Sequence, residues 1–287
     1  MLRAAESIAY MAVQTTVQGL MPALAEGLAG GATRPGAAAF AAARAFSAAA
    51  ACGSRYQPTS RGRGDEDNPA TSLPHNGATV VLVSGGVESA ALLSYWKHWD
   101  HGQQLHPLFV DYGQKNARAE EAAQLTMCRR LGLEFNAINA SMVAHQLNMS
   151  VVGRRYHDPL PHRNLLLLSL AASFAADTGA SNVAICLNRD DIGGYSTATM
   201  PFLRHTEGLF QTLEPSLTLL MPLLGLQKHQ VLVLGDQVQA PWHLTWSCAE
   251  WGKTPCGTCP PCVARQEAFE RAELKDPLVE RPLPHQP

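Results

Sequence analysis

Four cysteines near the end of the chain, Cys248, Cys256, Cys259 and Cys262, are separated by seven, two and two residues. Cys-x2-Cys turns bring two thiolates onto one ion, and four sulfurs at about 2.3 Å make the tetrahedral site of structural zinc. Gly257 and the pair Pro260-Pro261 suit the tight turns this requires. An iron–sulfur cluster is the competing reading, because Cys-x2-Cys-x2-Cys also occurs in ferredoxin-type sites; the lack of a further Cys-Pro favours zinc. No ligand position is left open for catalysis, so the metal's work is to pin the C-terminal segment in place. A second constellation, Ser84-Gly85-Gly86-Val87-Glu88-Ser89, follows the uncharged run Thr79–Val83 and precedes an Ala/Leu-rich stretch. Strand, glycine turn and helix in succession aim backbone N–H groups and a positive dipole end at a phosphate. Ser84 and Ser89 add hydroxyls, and Glu88 adds a hard oxygen ligand for Mg2+. The loop is neither a Gly-Lys-Ser/Thr phosphate loop nor a Gly-x-Gly-x-x-Gly turn.

The elements that must position these groups follow from the hydrophobic pattern. Strands are expected at Thr79–Val83, Leu105–Val110, Leu133–Ile138, Ser181–Leu187 and Leu217–Met221. Helices are expected at Val87–Trp99, Asn116–Leu131 with Gly132 as its stop, Arg163–Asp177 and Leu226–Gln237. This alternation predicts a Rossmann-like α/β fold: a parallel sheet with helices on both faces. Three polar segments, Ser84–Ser89, Asp111–Asn116 and Asn188–Tyr195, follow strand ends and therefore share one edge of the sheet, where such folds bind ligands. Asp111 reads either as a second magnesium or ribose contact or as a helix cap. Arg163 opens a helix, where the dipole disfavours a cation, so it and Asn164 are read as facing a ligand. Lys228 reads as a surface lysine, with a site contact as the other option.

The composition sets bounds. With 287 residues, 46% of them hydrophobic, the chain is long enough for one large α/β domain plus appendages. A formal charge of -2 argues against a protein that holds nucleic acid by its phosphates. No uninterrupted apolar run reaches the roughly 20 residues that span a bilayer. Seven cysteines, an odd number with four crowded together, suit a reducing compartment and a metal site; Cys52, Cys128 and Cys186 read as incidental thiols. Residues 1–74 are Ala/Gly-rich, bear arginines and hold only Glu6 and Glu26 as acids before Asp65. That pattern predicts a transit peptide for a mitochondrion or plastid, with an untargeted disordered extension or an early start codon as alternatives. The expected organisation is an extension and linker at 1–74, an α/β domain at 75–240 and a metal-bound segment at 241–287 packed on that domain.

Ser84-Gly85-Gly86-x-Glu88-Ser89 resembles the SGGxDS loop of the N-type ATP pyrophosphatases, with Glu88 in place of Asp. Later segments narrow the resemblance: Asp111-Tyr112-Gly113-Gln114, Pro161-His162-Arg163-Asn164, Asn188 with Asp191, Gly194 and Tyr195, then Leu244-Thr245-Trp246-Ser247-Cys248 and Pro255-Cys256-Gly257-x-Cys259-x2-Cys262-x2-Arg265. Together they are similar to the bacterial 7-cyano-7-deazaguanine synthase family over roughly Ala78–Pro277.

The resemblance implies a carbon–nitrogen ligase that uses 7-carboxy-7-deazaguanine, ammonia and ATP with Mg2+ to make a nitrile for queuosine-type bases. It implies ATP binding along Val83, Ser84, Gly85, Gly86, Val87 and Glu88, and on through Ser89, Ala90, Ala91, Leu92 and Leu93. The phosphates and magnesium fall to Ser84, Gly85, Gly86, Glu88 and Ser89. Arg163, Asn164, Asp191 and Tyr195 become substrate-pocket residues, and Cys248, Cys256, Cys259 and Cys262 hold structural Zn2+. Relatives often pair as homodimers, while nothing in the sequence itself fixes the oligomeric state; neither nucleic acid nor membrane is an expected partner. Two departures stand out. Glu88 is longer than the family's Asp, and Ser196-Thr197-Ala198-Thr199 stands where Pro-Asp-Cys-Arg is usual. They leave open a paralogue with another acceptor or lost turnover; a tRNA-modifying ATP pyrophosphatase is the rival from another substrate class.

Overall fold

The computed structural model describes residues 77–99, 104–146, 160–250 and 252–278. The predicted transit peptide and its linker, residues 1–74, lie outside these residues. Five parallel strands, β1 (Thr79–Leu82), β2 (Leu105–Asp111), β3 (Asn136–Asn139), β4 (Asn182–Ile185) and β5 (Thr218–Leu220), form one sheet in the order β3-β2-β1-β4-β5. The register sets Leu82 of β1 beside Leu108 of β2 and Ile185 of β4. The chain builds outward from β1 to β3, then crosses back to lay β4 on the other side of β1. The C-terminal ends of β1 and β4 thus flank the switch point, where an open parallel sheet leaves a crevice for a ligand.

Helices cover both faces. Along β1, Val80 and Leu82 join a core cluster with Leu168, Ala171 and Ala175 of α4 (Arg163–Thr178) and with Leu203 and Phe210 of α5 (Met200–Leu213). The alternate residues Val81 and Phe109 are also fully buried, as the two-residue period of a strand requires when both faces are covered. The second helical layer contains α1 (Val87–Trp99), which packs on both α2 (Ala117–Leu131) and α6 (Lys228–Gln237). Leu92, Leu93, Met127 and Leu232 there are fully buried. Each side chain of this kind contributes about 1.5–3 kcal/mol on leaving water, so the sheet edges are held by a rigid body rather than by the loops themselves.

Element boundaries differ locally from the sequence reading. β3 starts at Asn136 rather than Leu133 because Gly132 ends α2 in a left-handed turn (φ 65°) and Leu133 closes it by donating to the Cys128 carbonyl. Three helices are additional: the short α3 (Met142–Gln146), α5, and α7 (Pro260–Arg271). Helix α5 is capped by Thr199, whose hydroxyl accepts from the Phe202 amide, with Pro201 in its first turn. The prolines taken for knuckle turns instead begin α7, where a missing N–H costs nothing. Arg265 of α7 is buried and pairs with Asp276 at 2.6 Å, while its guanidinium also reaches the Thr245 hydroxyl at 2.8 Å. These bonds hold the C-terminal segment to itself. None of the helices among the described residues is long and apolar enough to cross a membrane.

Candidate active site

The glycine loop Ser84–Gly86 leaves the C-terminal end of β1 and enters α1. Gly85 has φ 73°, and a Cβ there would lie 2.7 Å from the Glu120 carbonyl oxygen and 3.1 Å from the Ala123 methyl. Only glycine combines that backbone with so close an approach to α2. Gly86 is less constrained, since its nearest neighbours would stand 3.4 Å from a Cβ. Gly85→Ala is therefore expected to cost at least about 2 kcal/mol, whereas Gly86→Ala should be milder in thermal melts. The Ser84 amide donates to the Ser89 hydroxyl at 3.2 Å, which closes the loop on itself, and Ser84 is exposed. Ala90, Ala91, Leu92 and Leu93 are fully buried, so they support the loop from beneath.

Glu88, in the first turn of α1, is engaged from two distant elements. Its Oε1 accepts from the Asn188 amide group at 3.0 Å and pairs with the Lys228 ammonium. Lys228 is not a surface lysine. It opens α6 with its side chain largely enclosed, and its backbone N–H donates to Asp190 at 2.9 Å. Burial pushes the Glu88 carboxyl up, but Lys228 and the hydrogen bonds outweigh it and hold the group below its ordinary value. For Lys228, burial pulls down and Glu88 more than compensates, leaving the ammonium above its ordinary value. Both members are charged at neutral pH. Asp191 lies near enough that the like charge of Glu88, after burial, helps push its carboxyl up.

Beside the loop lies a cleft of about 230 Å³. Its walls come from the ends of β1 (Leu82, Val83, Ser84), β2 (Phe109, Val110, then Tyr112 and Gln114) and β4 (Ile185, Cys186, Leu187), closed by Glu120 of α2 and Arg163, Asn164 and Leu167 of α4. The Arg163 guanidinium donates to the Tyr112 hydroxyl at 3.4 Å and lies 5.9 Å from the centre of the Tyr195 ring. Burial opposes its charge, yet Tyr112, Tyr195 and Glu120 more than offset this and raise its pKa. His162, immediately before it, adopts a left-handed backbone (φ 57°), a local strain of the kind found where a site is held in shape. Cys186 donates to the Leu82 carbonyl at 3.4 Å, and burial, with Glu88 second, pushes its thiol up to about 12; it is a neutral wall, not a nucleophile.

The residues singled out in the sequence separate into two groups. Arg163 and Asn164 line the cleft, and Tyr195 braces Arg163. The Asn164 amide also donates to the Thr197 carbonyl at 2.9 Å, so Ser196–Thr199 serves the cleft as scaffold: Thr197 holds Asn164 and Thr199 caps α5. Asp191 is placed elsewhere. Its carboxylate accepts from the Asn188 amide at 2.9 Å in a capping box and faces Glu88 rather than the cleft. Asp111 is neither a helix cap nor a lining residue; its side chain accepts from the Gly113 amide at 2.8 Å and shapes the turn. Sequence reasoning missed Glu120, Lys228 as a buried partner, and Cys186 as a wall.

The four C-terminal cysteines meet. Their sulfurs lie within 4.8 Å of one another, with Cys248 and Cys259 sulfurs 3.9 Å apart. Tetrahedral thiolates around zinc stand about 3.8 Å apart, so the set fits such an ion. Backbone amides of Glu250 and Cys256 donate to the Cys248 sulfur at 3.4 and 3.3 Å, and Cys259 donates to Cys256 at 3.2 Å. The Thr258 backbone draws Cys256 down to about 6, whereas burial pushes Cys248 and Cys262 up. Four adjacent thiolates need a cation to neutralise them. The cluster also touches the loop: the Trp246 backbone N–H donates to the Gly85 carbonyl at 2.8 Å, and the Cys248 carbonyl accepts from Asn116 at 2.8 Å.

Comparison with known proteins agrees with this geometry. The family described as "Queuosine biosynthesis protein QueC" matches residues 78–273. A 7-cyano-7-deazaguanine synthase of Oceanobacillus iheyensis is 32% identical over 217 residues, covering 69% of this chain and 96% of that protein. The same-named protein of Archaeoglobus fulgidus is 30% identical over 214 residues, covering 70% and 89%. A relative from Sulfolobus acidocaldarius, also so named, is 32% identical over 222 residues; they cover 69% of this chain but only 47% of that longer protein.

Proposed function

Because the chain belongs to the QueC family of queuosine biosynthesis proteins, we propose that it converts 7-carboxy-7-deazaguanine and ammonia to 7-cyano-7-deazaguanine at the expense of ATP. One observation carries this reading: exposed Ser84 of the phosphate loop and cationic Arg163 open onto the same cleft, so nucleotide phosphates and a carboxylate substrate are brought together. A carboxylate is a poor electrophile. Attack of its oxygen on the α-phosphorus of ATP expels pyrophosphate and leaves an acyl-adenylate. Ammonia then displaces AMP to give the amide, losing a proton. The amide oxygen is activated by a second ATP in the same way, and loss of AMP with the remaining amide protons leaves the nitrile.

The protein's contribution is placement and charge. Ser84, Gly85, Gly86 and Ser89 cradle the phosphates with hydroxyls and backbone amides. Glu88 supplies an oxygen ligand for Mg2+, which offsets phosphate charge when bound, while Lys228 stands beside it as a second cation for the departing pyrophosphate. Arg163 holds the substrate carboxylate. No side-chain nucleophile is needed, consistent with the raised pKa of Cys186. In the C-terminal segment, Cys248, Cys256, Cys259 and Cys262 hold Zn2+ in a structural role.

Protein incubated with 7-carboxy-7-deazaguanine, ammonium and Mg-ATP is expected to release AMP and yield a product with the mass of the nitrile. AMP at background levels would overturn the proposal. Arg163→Met is expected to raise the KM for the acceptor about 100-fold with little change in the KM for ATP, as for loss of one partner from an enclosed charge pair.

A further inference from the structure

The cleft contains a carboxyl group that neither the sequence reading nor the reaction above uses. Glu120 stands in the first turn of α2 and forms part of the cleft wall, which apolar groups such as Phe109, Leu167 and Leu187 also line. Its two oxygens are held separately: Oε2 accepts from the Gln114 amide group at 2.9 Å and Oε1 from the Asn116 amide group at 2.9 Å. Each holder is itself fixed. The Gln114 oxygen accepts from the Tyr112 backbone N–H at 3.0 Å, and its amide nitrogen also donates to the Val110 carbonyl at 3.3 Å. Asn116 is tied to the Cys248 carbonyl at 2.8 Å. A carboxylate offers about four acceptor positions, and two amide donors fill half of them. Burial pushes this carboxyl up despite its donors and Arg163, so the position is costly to maintain for packing alone.

We propose that Glu120 is the specificity residue of the cleft, accepting paired N–H donors from the edge of a guanine-type heterocycle. This deepens the function proposed above and rests on it. Glu120 and Arg163 are the two ionisable groups of opposite sign in the cleft lining, close enough to feel each other's charge, and polar Tyr112, Gln114 and Asn164 and apolar Phe109, Leu167 and Leu187 line it with them. Its complement is a planar ring with donors on one edge and an anionic substituent on another. A 2-amino-4-oxo ring presents an N1–H and a 2-amino group to one carboxylate, whereas adenine offers a donor beside a ring-nitrogen acceptor that repels it. An acceptor fixed in this way rejects a substrate that lacks the matching donor, because its buried oxygen is left unpaired.

The test compares 7-carboxy-7-deazaguanine with the analogue lacking the 2-amino group, following AMP release by the full chain. Wild-type protein is expected to prefer the amino compound by at least about 100-fold in kcat/KM. Glu120→Gln, checked for folding by its melting temperature, is expected to bring this preference below about 10-fold while leaving the KM for ATP unchanged. An intact preference in the variant overturns the proposal, as does a variant whose defect lies in the KM for ATP, since the cleft would then belong to adenine. Should Glu120→Gln not fold, the wild-type ratio decides: a value near one overturns the assignment, and a value above about 100 supports it. If wild-type protein forms no AMP with either compound, the proposed reaction fails separately. Equilibrium binding of guanine against hypoxanthine then decides the role of Glu120, with preferential binding of guanine supporting it and equal binding overturning it.

Discussion

Removing the metal from the C-terminal cysteines, by a strong chelator or by Cys248→Ser, is expected to abolish nucleotide binding as well as to destabilise the fold. The stability loss follows from the cluster's construction. Structural zinc sites supply roughly 10–16 kcal/mol of apparent binding energy, and losing about 4 kcal/mol of this would lower the Tm of a domain of this size by about 10 °C. The functional loss follows from connectivity. Trp246, two residues before Cys248, holds the Gly85 carbonyl through its backbone N–H at 2.8 Å, and its indole N–H is tied to the Cys248 carbonyl at 2.8 Å. Freeing Cys248 therefore frees the backbone partner of the phosphate loop. The check is calorimetric titration with a non-hydrolysable ATP analogue at a temperature where circular dichroism shows the metal-free protein still folded. Unaltered affinity there would separate the cluster from the site.

Lys228→Met is expected to reduce AMP formation about 100-fold and to cost about 2 kcal/mol of stability. Breaking an enclosed pair by removing one partner ordinarily costs about 3–5 kcal/mol; the residual exposure of this pair, 23% for Lys228 and 16% for Glu88, lowers the expectation. Both charges hold across the working range. Glu88 lies below its ordinary value of 4.5, so its contribution is present above that pH and is lost as pH falls through the lower folded value. Lys228 lies above its ordinary value of 10.5, so its contribution is present below that pH and is lost as pH rises through the higher folded value. The stability gap between wild type and Lys228→Met should be flat from about pH 5 to about pH 10 and close at both extremes in denaturant titrations. Lys228→Arg should retain stability better than activity, because a planar guanidinium keeps the charge but not the point geometry of an ammonium beside a phosphate.

The parts legible in the sequence are those whose partners lie close along the chain. Ser84–Ser89 and Cys248–Cys262 each compress their chemistry into a short segment, and the alternation of apolar runs is enough to order the sheet. The parts that escaped depend on long-range pairing. Lys228 reaches Glu88 across 140 positions, and Asn116 reaches the Cys248 carbonyl across 132. Neither pairing leaves a local signature. Glu120 is one of two adjacent acids, with Glu121, on an exposed-looking helix turn; only the packing of α2 against the loop reveals that it lines a cleft. Pro260-Pro261 misled because proline breaks helices in their interior yet is welcome in their first turn. Ser196–Thr199 was notable only as a departure from a family pattern, although Thr199 is itself a helix-start signal.

The bond from Trp246 to Gly85 also bears on biogenesis. A ribosome releases the glycine turn long before it makes the tryptophan that completes it, and the knuckle that steadies that tryptophan comes later still. During synthesis the sheet has its strands while the nucleotide seat lacks its last support. Chains interrupted ahead of Trp246 should therefore carry a looser glycine turn than the finished protein.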